Sequence, residues 1–169
     1  MRHNALAVSH LIDKRIGGAS VFPYQPPGIW EEATFGKKAY VQDHGDALYR
    51  RSLYVFWRRI VGPTTFFDAG ARQVCTVKAT RTNTPLHALA TLNDPAFVEA
   101  ARVMAQRVIA AGRDDGARLD AAFRLAVMRA PAKDERKILL GRLATLRTQF
   151  QADPAAAKEF ASKIGRAHV

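Results

Sequence analysis

In the second half of the chain apolar residues recur at helical spacing, and each run is bounded by residues that start or stop helices. Thr84-Pro85 sets a capping hydroxyl before a proline at the first helical position, predicting a short helix through Leu92. Asn93-Asp94-Pro95 repeats the device. The helix it opens runs to about Ala111, with Phe97, Ala101, Met104 and Val108 on one face and Gly112 as the stop. Asp114 or Asp115 starts the next, with Leu119, Ala122, Phe123 and Ala126 inward, ending before Pro131. A long helix from Asp134 to about Gln151 carries Leu139, Leu143, Leu146 and Phe150, and Asp153-Pro154 begins a last one. There is no internal repeat of fixed period.

The first half is less regular. Ala5 to Lys14 reads as the end of an amphipathic helix, with Leu6, Ser9 or His10, and Asp13 at helical spacing, stopped by Gly17-Gly18. Pro23, Pro26 and Pro27 fix φ and push their predecessors out of the α region, so Phe22 to Trp30 is extended. This arm is expected to lay Tyr24, Ile29 and Trp30 onto the core, a reading favoured over a polyproline ligand. Residues 31–45 read as loop or short strand. From Asp46 to Val61, Tyr49, Leu53, Phe56, Trp57 and Ile60 share one side at helical spacing, with Arg50, Arg51, Arg58 and Arg59 around the rest of the wheel. A helix is favoured there, capped by Asp46 and stopped by Gly62-Pro63, although the aromatic and β-branched content also suits a strand. Phe66 to Val77 reads as irregular. The expected fold is mainly α: an irregular, proline-rich N-terminal half followed by a multi-helix C-terminal half.

Composition adds one unusual feature. The 169 residues are 48% apolar and 24% charged, ordinary for a globular domain, which excludes an acidic disordered tail and a collagen-like fibre. No apolar run approaches the ~20 residues of a membrane span. The net charge, however, is +11. Arg50, Arg51, Arg58, Arg59, Arg72, Lys78 and Arg81 face one acid, Asp68, across a single stretch, so that stretch holds more than half of the excess. Basic residues interleaved with Tyr49, Tyr54, Phe56 and Trp57 suit a single-stranded nucleic-acid platform. The aromatic residues line up opposite the arginines, as core, so nucleic acid is disfavoured as a partner.

No catalytic set emerges. Cys75 stands alone, which forbids an internal disulfide and a Cys-x-x-Cys-His haem attachment, and between Val74 and Thr76 it reads as a small packed hydrophobe. The histidines form no metal-binding pair, Asp43-His44-Gly45-Asp46 reads as a polar turn, and no glycine-rich phosphate loop or nucleophile elbow occurs. Arg81-Thr82-Asn83-Thr84 and Asn93-Asp94 are polar helix starts that can attract anions, with capping favoured as their role. Candidate contacts to an anionic ligand or a neighbouring domain are therefore Arg50, Arg51, Arg58, Arg59, Arg81, Asn83, Asn93 and Asp94. No catalytic, cofactor-binding or metal-binding residue is assigned, and a non-catalytic role is favoured.

Several of these pieces together carry a resemblance. Tyr24-Gln25-Pro26-Pro27-Gly28-Ile29-Trp30-Glu31, then Tyr49 to Arg59, Phe67-Asp68-Ala69, Val74-Cys75-Thr76, Arg81-Thr82-Asn83-Thr84-Pro85-Leu86 and Leu92 to Ala101 resemble, in order, the planctomycete-specific domain of unknown function 1553. Residues 4–150 carry the likeness. Ala19, Gly70 and His87 depart from its usual proline, proline and glutamine. The resemblance implies the C-terminal part of a large exported protein with a cytochrome c-like region, whose haem motif belongs to that other region. It establishes no catalytic residues.

On this reading residues 1–163 are a single partial domain whose relatives extend beyond both ends, which leaves apolar faces uncovered in this chain alone. Ile164-Gly165-Arg166-Ala167-His168-Val169 reads as the in-frame translation of a sequencing adapter. The expected role is structural or interdomain, or binding of an anionic ligand such as an anionic polysaccharide. The expected partners are other domains of the parent, and the expected compartment is extracytoplasmic or periplasmic, with no export signal in these residues. No cofactor is expected in this segment; haem would lie elsewhere in the parent. The alternatives are a nucleic-acid-binding module using Arg50 to Arg81, or part of an enzyme acting on polysaccharide.

Overall fold

A computed structural model describes residues 1–58, 77 and 84–162. Among them the protein is mainly α. It has seven α-helices: α1 (Arg2–Ser9), α2 (Ile29–Ala33), α3 (Pro85–Asn93), α4 (Pro95–Ala111), α5 (Asp115–Val127), α6 (Lys133–Ala152) and α7 (Pro154–Ser162). Two short 3-10 turns, Gly45–Tyr49 and Ser52–Tyr54, lie between α2 and α3. The described residues fall into two compact units, one within Met1–Ala7 and Leu11–Val98, the other within Val8–His10 and Glu99–Val169.

The C-terminal helices begin where their caps predict. The Thr84 hydroxyl accepts from the His87 N–H, with Pro85 in the first turn of α3. Asp94 Oδ1 accepts from the Ala96 N–H at 2.9 Å, Asp114 Oδ1 from Ala117 at 2.9 Å and Asp153 Oδ1 from Ala156 at 2.9 Å. Each satisfies a donor that a helix start leaves without an intrahelical partner. At the start of α6 the Glu135 carboxylate takes the Ala132 N–H at 2.8 Å and both terminal nitrogens of Arg129.

Coverage of these helices is thinner than their sequence pattern predicts. Among the described apolar side chains of the second unit, only Ala100 and Val108 are buried. Ala126, expected to face inward, is exposed, as are Ala101, Leu139 and Phe150 of the apolar patterns of α4 and α6. The α5–α6 pair is joined by Arg147 to Asp115 and Arg136 to Asp120, and Phe150 meets Phe160 of α7 at a ring-centroid distance of 6.0 Å.

Those ion pairs give the second unit an acid limit. Arg129 and the Ala132 N–H hold the Glu135 carboxyl down to about 2, and Arg147 holds Asp115 below the ordinary carboxylate range. A carboxylate with a lowered folded value contributes stability above its unfolded value and loses it as pH falls through the folded one. Helicity is therefore expected to decline from near the ordinary value of 4.5 toward about 2. Glu135→Gln should flatten that slope in an acid titration followed by circular dichroism.

In the N-terminal half several expectations are corrected. The helix read over Ala5–Lys14 ends at Ser9, where His10 turns left-handed at φ 64°. The Leu11 and Ile12 N–H groups both return to the Leu6 carbonyl, and Asp13 leaves to pair with the segment at Arg50. Of the helix read over 46–61, the described part, 46–58, is instead two 3-10 turns followed by extended chain at Val55, and 59–61 lie outside the described residues. The cause is a competing donor. The Arg2 guanidinium binds the Leu48 carbonyl at 2.5 Å and the Arg50 carbonyl at 2.9 Å, acceptors that an α-helix would give to its own N–H groups. Extended pieces then lie side by side: Asp13 N–H donates to Tyr49 O, Val21 N–H to Tyr54 O, and Phe56 N–H to Val21 O.

The proline-rich arm delivers Trp30 to the interior as expected, but Ile29 and Trp30, read as extended, and 31–33, read as loop or strand, form the short helix α2. Trp30 stacks on Tyr40 at 5.5 Å, and Phe22 stacks on Phe56 at 4.7 Å. Phe22 also meets Tyr40 edge-on, and Trp30 meets Phe56 at 5.8 Å. The buried Gln25 side chain accepts the indole N–H, so the ring is buried without losing its hydrogen bond.

Candidate functional site

Two arginines organise the first unit from inside. Arg2 is buried, and its guanidinium reaches Leu48 O, Arg50 O and the Ser52 hydroxyl. Burial pulls its pKa down to about 10, opposed by the charges of Asp94 and Tyr40. The Tyr40 phenol donates to Pro23 O, and burial beside Asp43 pushes it up to about 12, with Arg2 opposing. Arg50 forms the second centre. Its side chain is 3% exposed, and Nη2 donates to Gly17 O at 2.5 Å and Arg15 O at 3.4 Å. Its guanidinium lies 4.3 Å above the Tyr54 ring, and Nε sits 3.7 Å from Asp13 Oδ2.

Around this side chain the loop Arg15–Val21 curls into a cavity of about 390 Å³. The turn requires its glycines: Gly17 and Gly18 have φ of 79° and 90°, a region that disfavours side chains. Tyr54 anchors the loop from below, its hydroxyl accepting the Gly17 N–H at 2.9 Å.

The remaining candidate contacts are dispersed. Arg51 is half-buried beside Arg50. Arg58 is half-buried and lies 5.8 Å above Trp30. Asn93 donates to Leu89 O at 2.8 Å, closing the last turn of α3, and Asp94 is the buried cap of α4 whose charge acts on Arg2. Arg59, Arg81 and Asn83 lie outside the described residues, as do Cys75, the 164–169 tail and most of the Arg50–Arg81 stretch. The site thus retains Arg50 from the sequence reading and adds Arg2, Asp13, Arg15, the 17–18 turn and Tyr54. Periodicity could not find these, because they converge only when the chain folds back on Arg50. The paired glycines were a visible signal, read as a helix stop.

Among the described residues no group of three or more His, Cys, Asp or Glu side chains is placed to hold a metal, and no helix is long and apolar enough to cross a membrane.

What fold and site define is a mainly α protein whose irregular half is built around buried arginines. Residues 1–143 match the model of the family described as protein of unknown function (DUF1553), PSD1, and the chain belongs to that family. No curated protein and no solved structure matches it.

Proposed function

We propose that this chain is a non-catalytic packing module that docks against other domains of an exported, cytochrome-like parent protein. The observation that carries the reading is the uncovered apolar surface of its helices. Leu86, Leu89 and Leu92 form an exposed row at three-residue spacing on α3. In the second unit, Met104, Val108 and Ile109 of α4, Leu119 of α5 and Leu143 of α6 line an open groove of about 460 Å³. Contiguous apolar surface of this kind marks a contact surface. A neighbouring domain of the same parent is the occupant that the family resemblance favours, with any haem held by that neighbour. The basic, aromatic segment serves the same end from inside. Trp30, Tyr40, Phe22 and Phe56 pack against one another, stacked, tilted or edge-on, and Arg50 is turned inward, an arrangement better suited to packing than to stacking nucleic-acid bases.

Hydrogen exchange tests this. Amides of α4 and α6 that border the groove are expected to exchange at least about tenfold more slowly in the full parent protein than in this chain alone. Equal exchange in the two would contradict a docking role.

A further inference from the structure

We propose that the Arg15–Val21 loop, closed around Arg50, is a binding site for a tetrahedral oxyanion, a phosphate or sulfate group. This is separate from the packing role and rests on different residues. The donors come first. Arg50 is held firmly by its Nη2 bonds and by Tyr54, yet its Nη1 makes no hydrogen bond with any described residue. That nitrogen lies beside Gly18, 3.6 Å from where a Cβ would stand, and Arg50 lines the cavity. Arg50 Nε, beside Asp13, is buried without a hydrogen-bond partner, whereas Nη1 is not buried in that way and stays open to an acceptor that enters the loop.

The backbone supplies further donors. The N–H groups of Gly18, Ala19 and Ser20 form no hydrogen bond with any described residue, while that of Gly17 is held by Tyr54. Successive backbone donors in a tight turn make a concavity for anions. Gly18 is needed for its positive φ, a backbone conformation that side chains disfavour. Residues 15–20 of the loop are exposed, so a ligand can enter, while Val21 is buried and fixes its end.

Charge points the same way. Lys14, Arg15 and Arg50 against Asp13 leave a local excess of two (3 − 1). Asp13 is occupied at the other edge: Oδ1 accepts the Arg15 N–H, and Oδ2 lies 3.5 Å from the Arg15 guanidinium and 3.7 Å from Arg50 Nε. The carboxylate orients the two arginines without covering Nη1. Several donors converging from backbone and guanidinium match the oxygens of a tetrahedral anion, as in charge-assisted phosphate recognition. About 390 Å³ leaves room for the group that carries it as an ester.

The test uses the full chain, isotope-labelled, titrated with sodium sulfate, with inorganic phosphate and with a sugar monophosphate, ionic strength being held with chloride. Saturable shifts at the Gly17–Ser20 amides and the Arg50 guanidinium are expected. Tighter binding of the monophosphate would assign the site to esters, and equal binding to the free ion; either supports the shared chemistry. Arg50→Lys should abolish binding but is exposed to a folding defect. Ile16→Glu is not, since Ile16 is 77% exposed at the loop rim. It should weaken binding at least about tenfold through like-charge repulsion while leaving tryptophan fluorescence unchanged. Absence of saturable shifts at the loop, or equal affinity in the Ile16→Glu variant, would overturn the proposal.

Discussion

Arg2→Met is expected to lower the unfolding free energy of the first unit by about 3 kcal/mol or more. Methionine matches much of the apolar stem of arginine, so the loss isolates the guanidinium. In the native chain that group is buried and bound to two carbonyls and a hydroxyl that approach from positions 48 to 52. Without it the carbonyls of Leu48 and Arg50 lose their partners inside the unit. An acceptor stranded in this way costs about 1–3 kcal/mol, which is why removing one partner exceeds the net value of the bond. The two tryptophans, Trp30 and Trp57, both lie in this unit, so urea unfolding followed by fluorescence reports it, while circular dichroism is weighted toward the helices of the other. A change below about 1 kcal/mol would remove Arg2 from the framework.

Trp30→Ala should cost a similar amount, about 3–5 kcal/mol. The ring is 5% exposed and contacts two other aromatic rings, so its deletion opens a cavity at the centre of the stack. It also leaves the buried Gln25 carbonyl without the indole N–H. Trp30→Phe separates the two effects: it keeps most of the packing and still loses that hydrogen bond, for an expected cost of about 1–2 kcal/mol. Trp57 fluorescence and near-ultraviolet circular dichroism provide the readout. Equal losses in the two variants would place the stabilisation in the hydrogen bond rather than the stack.

These effects fall where the sequence was least legible. Thr84-Pro85, Asp94-Pro95, Asp114 and Asp153-Pro154 marked the starts of α3, α4, α5 and α7 because capping is decided within three or four residues. The segment around Arg50 obeys a contact 46 to 50 positions away in the chain, so its helical periodicity was overruled by a donor that no local window contains. The same blindness affected the site. An arginine at a polar wheel position reads as surface charge. Only the convergence of Gly17 O, Arg15 O, Asp13 and Tyr54 turns Arg50 inward. Asn93 and Asp94 were legible for the opposite reason, since their bonds are local.

The central claim is that the charge at Arg50 belongs to the interior of the first unit, where it closes a loop, and not to an open surface. Nitrogen-detected magnetic resonance of the arginine side chains tests it most directly. Arg2 and Arg50 should show resolved, slowly exchanging guanidinium protons, with rotation about the terminal bonds hindered, while the 64%-exposed side chain of Arg15 shows averaged, rapidly exchanging ones. An Arg50 signal averaged like that of Arg15 would contradict the account.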